Sequence, residues 1–224
     1  MANTMISSTL LRRVAASVIC MLPLAGYALS EDPLDMIYEA PYVPPSRDNN
    51  LVALAAPVNA SPCNLSFQLT DNRPSKTTVG GVFFMLGHPG STPINVQSVR
   101  SGDGLQWLRG AVRSVQTQRI SVAEGAITHS SSVAQLGLEV QLQLAHAWSE
   151  GMNLASTVVL EARYRAPTGD VKRTYVGQGM KANWAFGNGE FMGVLNAAMA
   201  DAVAFLAQDV GTLCEGRSLS ASLP

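Results

Sequence analysis

The side chains in this sequence that could do chemistry are few and scattered. His88 sits in a Gly/Pro loop, His129 in a Ser-rich stretch and His146 near the end of a predicted strand. A histidine acts as a base or a ligand only beside a carboxylate, a nucleophile or a second ligand. None of the three has such a neighbour in sequence, so each reads as a solvated or packed imidazole. No Gly-x-Ser-x-Gly elbow, phosphate loop, HExxH helix or paired-cysteine metal motif occurs. Gly177-Gln178-Gly179 falls inside a predicted strand, without the strand-to-helix turn of a dinucleotide site, and marks a bulge or close packing. Catalytic, cofactor and metal assignments are therefore none.

Two further sets of residues stand out. Asp71 and Arg73 follow the first strand and read as a local ion pair or turn, with a partner surface as the functional alternative. Gln141, Gln143, Arg163 and Arg165 fall on the polar face of predicted strands and complete that candidate surface. Cys63 and Cys214 flank the folded region. In an exported protein two cysteines are the smallest set that can pair, and the alternative is two free thiols.

The elements that must position these residues centre on residues 133–148. There Leu136, Leu138, Val140, Leu142 and Leu144 share one parity, and Gln135, Gly137, Glu139, Gln141 and Gln143 the other. Side chains of a strand alternate between faces, so one face is apolar and one wet. By the same parity His146 goes with the leucines. Residues 155–165 and 171–184 give two more strands, separated by turns at 149–153 and 167–170. An earlier strand over 64–70 and an apolar run over 79–86 precede a helix that Asp103 caps, running to about Thr117. Asn188 caps a last helix to about Val210, with Phe191, Val194, Leu195, Ala198, Ala202, Phe205 and Leu206 on its buried face.

Around this domain, 63–216, lie three other segments. Residues 1–30 resemble a signal peptide, with Arg12 and Arg13 before an apolar run and Ala28-Leu29-Ser30 before a cleavage point between Ser30 and Glu31. Leu24-Ala25-Gly26 begins like a lipoprotein signal, but Tyr27 stands where the lipidated cysteine would be. Residues 31–62 carry Pro33, Pro41, Pro44, Pro45, Pro57 and Pro62, which predicts an extended linker. Residues 217–224 form a polar tail. The full chain has 15 basic and 16 acidic residues, far from the basic footprint of a nucleic-acid binder. No membrane span is predicted in the mature chain.

The strand ending at Thr70-Asp71-Asn72-Arg73-Pro74, then Val79-Gly80, Leu105-x-x-Leu108 and the leucine strand resemble the YajG-like lipoproteins of Gram-negative envelopes. So do the Tyr175-Val176-Gly177 strand and the Asn196-to-Ala202 helix. The resemblance covers roughly Cys63 to Cys214. It implies an α+β domain and an envelope location, with no catalytic residues to carry over.

The sequence therefore predicts a two-layer α+β sandwich. Its antiparallel-rich sheet runs strand–helix–three-strand meander–helix, with both helices packed on the leucine face. The expected function is a non-catalytic, periplasmic or outer-membrane-associated scaffold or binding protein with an envelope protein partner. The alternatives are a periplasmic binding protein for a small apolar ligand, held between sheet and helices, and a hydrolase assembled from distant segments.

Overall fold

The structure is a computed structural model and describes residues 33–41, 62–82, 95–127, 134–150, 153–167, 169–182 and 188–219. Its organising strand is β5 (Gln135–Glu150), long enough to take different neighbours along one edge. The strands and helices before it are β1 (Cys63–Asp71), β2 (Thr78–Val82), β3 (Asn95–Ser98), α1 (Asp103–Arg113) and β4 (Ile120–Glu124). After it come β6 (Asn153–Ala166), β7 (Gly169–Ala182) and α2 (Asn188–Cys214).

The strands form one seven-stranded sheet. Antiparallel β6 pairs with β5 from Gly137↔Arg165 to Glu150↔Asn153, and so occupies one edge of β5 along nearly its whole length. The other edge is shared. Parallel β1 takes it up to Asp71↔Leu142, and parallel β2 resumes at Gly80↔Ala147. β4 lies parallel outside β1, β3 antiparallel outside β2, and β7 antiparallel outside β6.

The sheet is thus mixed, which overturns the antiparallel-rich sandwich with two helices packed on one face. Alternation of apolar and polar residues is the same whichever way a neighbour runs, so it carries no information about strand direction. The chain leaves β1 and reaches β4 only after passing through α1, and such a long connection brings strands back in parallel. β4 has no counterpart among the strands expected from the sequence.

The helices are also unequal. α2 has 27 residues and lies across β5, β6 and β7, whereas α1 has 11 and touches β1, β5 and α2. α1 starts after Gly102, whose φ of 94° suits glycine, and Asp103 is its first residue. It ends at Arg113, short of Thr117, where the Ser114 hydroxyl donates to the Ala111 carbonyl at 2.6 Å.

α2 runs past Val210 to Cys214, and on its surface Phe205 faces solvent instead of the core. Gly189–Cys214 is long and apolar enough to cross a membrane by length and composition, and half of that window is buried inside the protein. Packing on three strands accounts for its apolar side.

Two features tie the ends of the domain to this core. Cys63 and Cys214 form a disulfide with Cα atoms 5.7 Å apart, joining the first residue of β1 to the last of α2. Residues 33–41, within the stretch expected to be a linker, are docked on the domain. Leu34 and Met36 are buried in the core. The Leu34 N–H donates to the Ser98 carbonyl, and Asn196 Nδ2 donates to the Ile37 carbonyl at 3.1 Å. Asn196 Oδ1 in turn accepts from Trp107 Nε1 at 2.7 Å, so one buried amide joins the N-terminal segment, α1 and α2.

Candidate functional site: the outer face of the sheet

The inner face of β5–β7 is covered by α2, and the outer face divides into two halves of different chemistry. The division starts at Gln143. Pairing with β6 passes from Leu142↔Leu160 to Leu144↔Val159, leaving Gln143 unpaired as a β-bulge. An extra residue reverses the parity beyond it. Leu136, Leu138, Val140 and Leu142 are buried, but so then are Ala145 and Ala147, while Leu144 and His146 turn outward. Leu144 and His146 therefore do not share the side of the preceding leucines, as unbroken alternation had predicted.

Beyond the bulge, cross-strand pairing aligns three rows of outer-face residues. Leu144, Val159 and Val176 form an apolar row, and His146, Thr157 and Gln178 a neutral polar row. Trp148, Ala155 and Met180 form a second apolar row. The His146 and Trp148 rings stack with centroids 5.7 Å apart and planes 22° from parallel. Partial burial holds the His146 pKa below its ordinary value. Met180 is 65% exposed and Val176 48%, two large apolar side chains left in water on the edge strand β7. Trp148, Ala155, Ser156, Thr157, Gln178, Gly179 and Met180 line a depression of about 340 Å³.

Before the bulge the same face is charged and internally paired. Arg165 bridges Glu139 at 3.0 Å and Asp170 at 2.5 Å, and Lys172 pairs with Glu161 at 2.8 Å. Gln141 and Gln143 are hydrogen-bonded to each other at 3.1 Å, and Gln141 also accepts from Asn72 at 2.8 Å. Of the candidate surface residues, Gln141, Gln143, Arg163 and Arg165 lie together here.

Asp71 and Arg73 do not join them. The Arg73 guanidinium is almost wholly buried and donates to both Asp71 carboxylate oxygens at 2.9 and 2.8 Å. Burial alone would raise the Asp71 pKa, but the Arg73 side-chain and backbone hydrogen bonds and its charge bring the carboxyl below its ordinary value. The local ion pair is the correct description, and these two residues are removed from the partner surface.

The residues that reading in sequence order missed are those of the two apolar rows. Nothing in the run Leu142-Gln143-Leu144 marks a bulge, and Val176 and Met180 acquire meaning only through their pairing. A buried network was missed as well. The Tyr164 and Tyr175 hydroxyls lie 2.6 Å apart, and Tyr175 donates to Asp209 Oδ2 at 2.5 Å. Burial raises both phenol pKa values, so the pair stays protonated and clamps β6 and β7 to α2. Among the described residues, no group of three or more His, Cys, Asp and Glu side chains is placed to hold a metal ion. His88, His129 and the Ser30–Glu31 cleavage point lie outside the described residues.

No family model matches the sequence, and no curated protein does either. Among solved structures, a Xanthomonas campestris protein of the DUF330 family aligns with a TM-score of 0.46 at 15% identity, over 70% of this chain and 86% of its own. An uncharacterized protein aligns with a TM-score of 0.44 at 14% identity, over 68% of this chain and 94% of its own. A "putative lipoprotein" from Caulobacter crescentus aligns with a TM-score of 0.31 at 12% identity, over 49% of this chain and 82% of its own.

Proposed function

We propose that this chain is an exported cell-envelope protein that acts by binding, without catalysis, and that the half of the outer sheet face beyond the Gln143 bulge is its binding surface. The observation that carries this reading is the exposure of Leu144, Val176 and Met180 on the face that also carries Trp148 and that α2 does not cover. Leaving such surface in water is unfavourable, and a partner that covers it gains roughly 25 cal/mol per Å² of apolar area. The leader-like residues 1–30, the Cys63–Cys214 disulfide and the resemblance to YajG-like envelope lipoproteins support an oxidising, extracytoplasmic setting. Periplasmic or outer-membrane-associated localisation belongs to the same proposal.

The depression beside Trp148 favours a second reading, a site for a small neutral ligand. It lies on the open face of the sheet, and not between sheet and helices where such a ligand was first expected.

The test is capture of envelope components on the intact protein and on a Val176→Glu/Met180→Glu variant. Both side chains point to solvent, so the variant is expected to keep its thermal unfolding profile while losing the captured partner. Equal capture by both forms would contradict the proposal.

A further inference from the structure

We infer that the outer-face site accepts a proline-rich, extended peptide segment of a partner protein, laid across the rows that end in Leu144 and Trp148. This rests on the binding-surface reading above and adds the chemistry of the occupant.

The patch covers three strands and three residue pairs. With strands about 4.8 Å apart and like-facing residues about 7 Å apart, it spans roughly 300 Å². A stable dimer needs about 800 Å² from each partner, so a second copy of this chain resting on this patch alone is too weakly held. The flanking half of the face is charged, with Arg165 bridging Glu139 and Asp170 and Lys172 bridging Glu161, so extending the contact over it would bury ion pairs at a desolvation cost.

Its chemistry narrows the occupant further. None of the outward residues in the three rows carries a fixed charge, so the segment is neutral where it lies. The middle row of His146, Thr157 and Gln178 offers hydrogen-bond donors between two apolar rows. A helix has already used its carbonyls internally and would cover those donors without answering them. A polyproline-type segment keeps every carbonyl free, has no internal hydrogen bonds, and loses little entropy on docking against an aromatic ring. The outer rows are about 14 Å apart, which four to five residues at about 3.1 Å each would span.

Addition of a strand to the β7 edge is blocked at this point. The Gln178 backbone N–H is already taken by Asp201 Oδ2 at 3.0 Å, which leaves the Gln178 side-chain amide for the ligand.

The test uses a blocked proline decamer titrated into the full chain by calorimetry. Saturable binding is expected, weakened at least tenfold by Trp148→Ala and by Gln178→Ala. The second variant changes an exposed side chain and keeps the test readable if the first unfolds. A leucine–lysine amphipathic peptide and phosphatidylglycerol vesicles are the comparison probes. Binding of either one in place of the decamer, or decamer binding indifferent to both substitutions, overturns the inference. If the decamer fails while Val176→Glu/Met180→Glu still abolishes envelope capture, the peptide chemistry is wrong and the binding surface stands. If both fail, both are wrong.

Discussion

Leu142 and Leu144, two residues apart in one strand, face opposite sides of the sheet. Leu142 is fully buried and Leu144 is 36% exposed, because Gln143 between them is unpaired. In a regular strand they would share a face. This single inserted residue exchanges the two faces at the far end of β5, turning Ala145 and Ala147 into the core and bringing Trp148 to the outside in the same row as Met180.

The two leucines should therefore respond differently to truncation. Leu142→Ala removes a core side chain and is expected to cost about 2–5 kcal/mol, whereas Leu144→Ser, at a partly exposed position, should cost only about 1–2 kcal/mol. Urea denaturation of the two variants distinguishes them. Equal, large losses would mean that both leucines are in the core.

Glycines of similar appearance should also part company. A Cβ on Gly177 would stand 1.9 Å from the Ala198 carbonyl oxygen, where α2 crosses β7, while one on Gly211 meets nothing within 4 Å. Gly177→Ala is expected to lose at least about 1–3 kcal/mol through overpacking. Gly211→Ala, in a helix, should gain up to about 1 kcal/mol. Thermal melting checks both signs.

The Asp71–Arg73 pair gives a pH signature. The Asp71 pKa is lowered in the folded protein from 3.8, so its contribution is present above that value and is lost as pH falls through the folded pKa. Asp71→Asn should remove that part of the acid slope. Stranding the buried Arg73 guanidinium should also cost about 3–5 kcal/mol near neutrality. Denaturation midpoints from pH 2 to 7 would show both effects. An unchanged acid slope would contradict the pairing.

The disulfide closes a loop with a sequence separation of 151 residues. On the chain-entropy model that constrains the unfolded chain by about 5 kcal/mol. Reduction, or Cys63→Ser/Cys214→Ser, should lower the unfolding midpoint sharply. A melt insensitive to reductant would contradict it.

Much of this architecture is legible in the residues, and the failures have specific causes. Alternation locates β5 and β6, and helical spacing locates α2 with most of its buried face. Strand direction has no counterpart in alternation, so the parallel pairing of β1 with β4 and β5 is not readable. The bulge is hidden because Leu142, Leu144 and His146 continue a period of two that the backbone breaks. Prolines 33 and 41 read as a linker, although Leu34 and Met36, spaced as on one face of an extended chain, bury against the domain. Of the candidate surface, Gln141, Gln143, Arg163 and Arg165 lie together on the outer face. Its apolar neighbours needed the pairing of three strands to become visible.

The claim on which the account depends is that the three rows beyond Gln143 face a partner. A photo-crosslinking amino acid placed at Val176, and for comparison at exposed Gln208 on α2, tests it in intact cells that express the native chain. The account predicts a discrete partner adduct from position 176 and none from 208. No adduct from 176, or the same adduct from both positions, would contradict it.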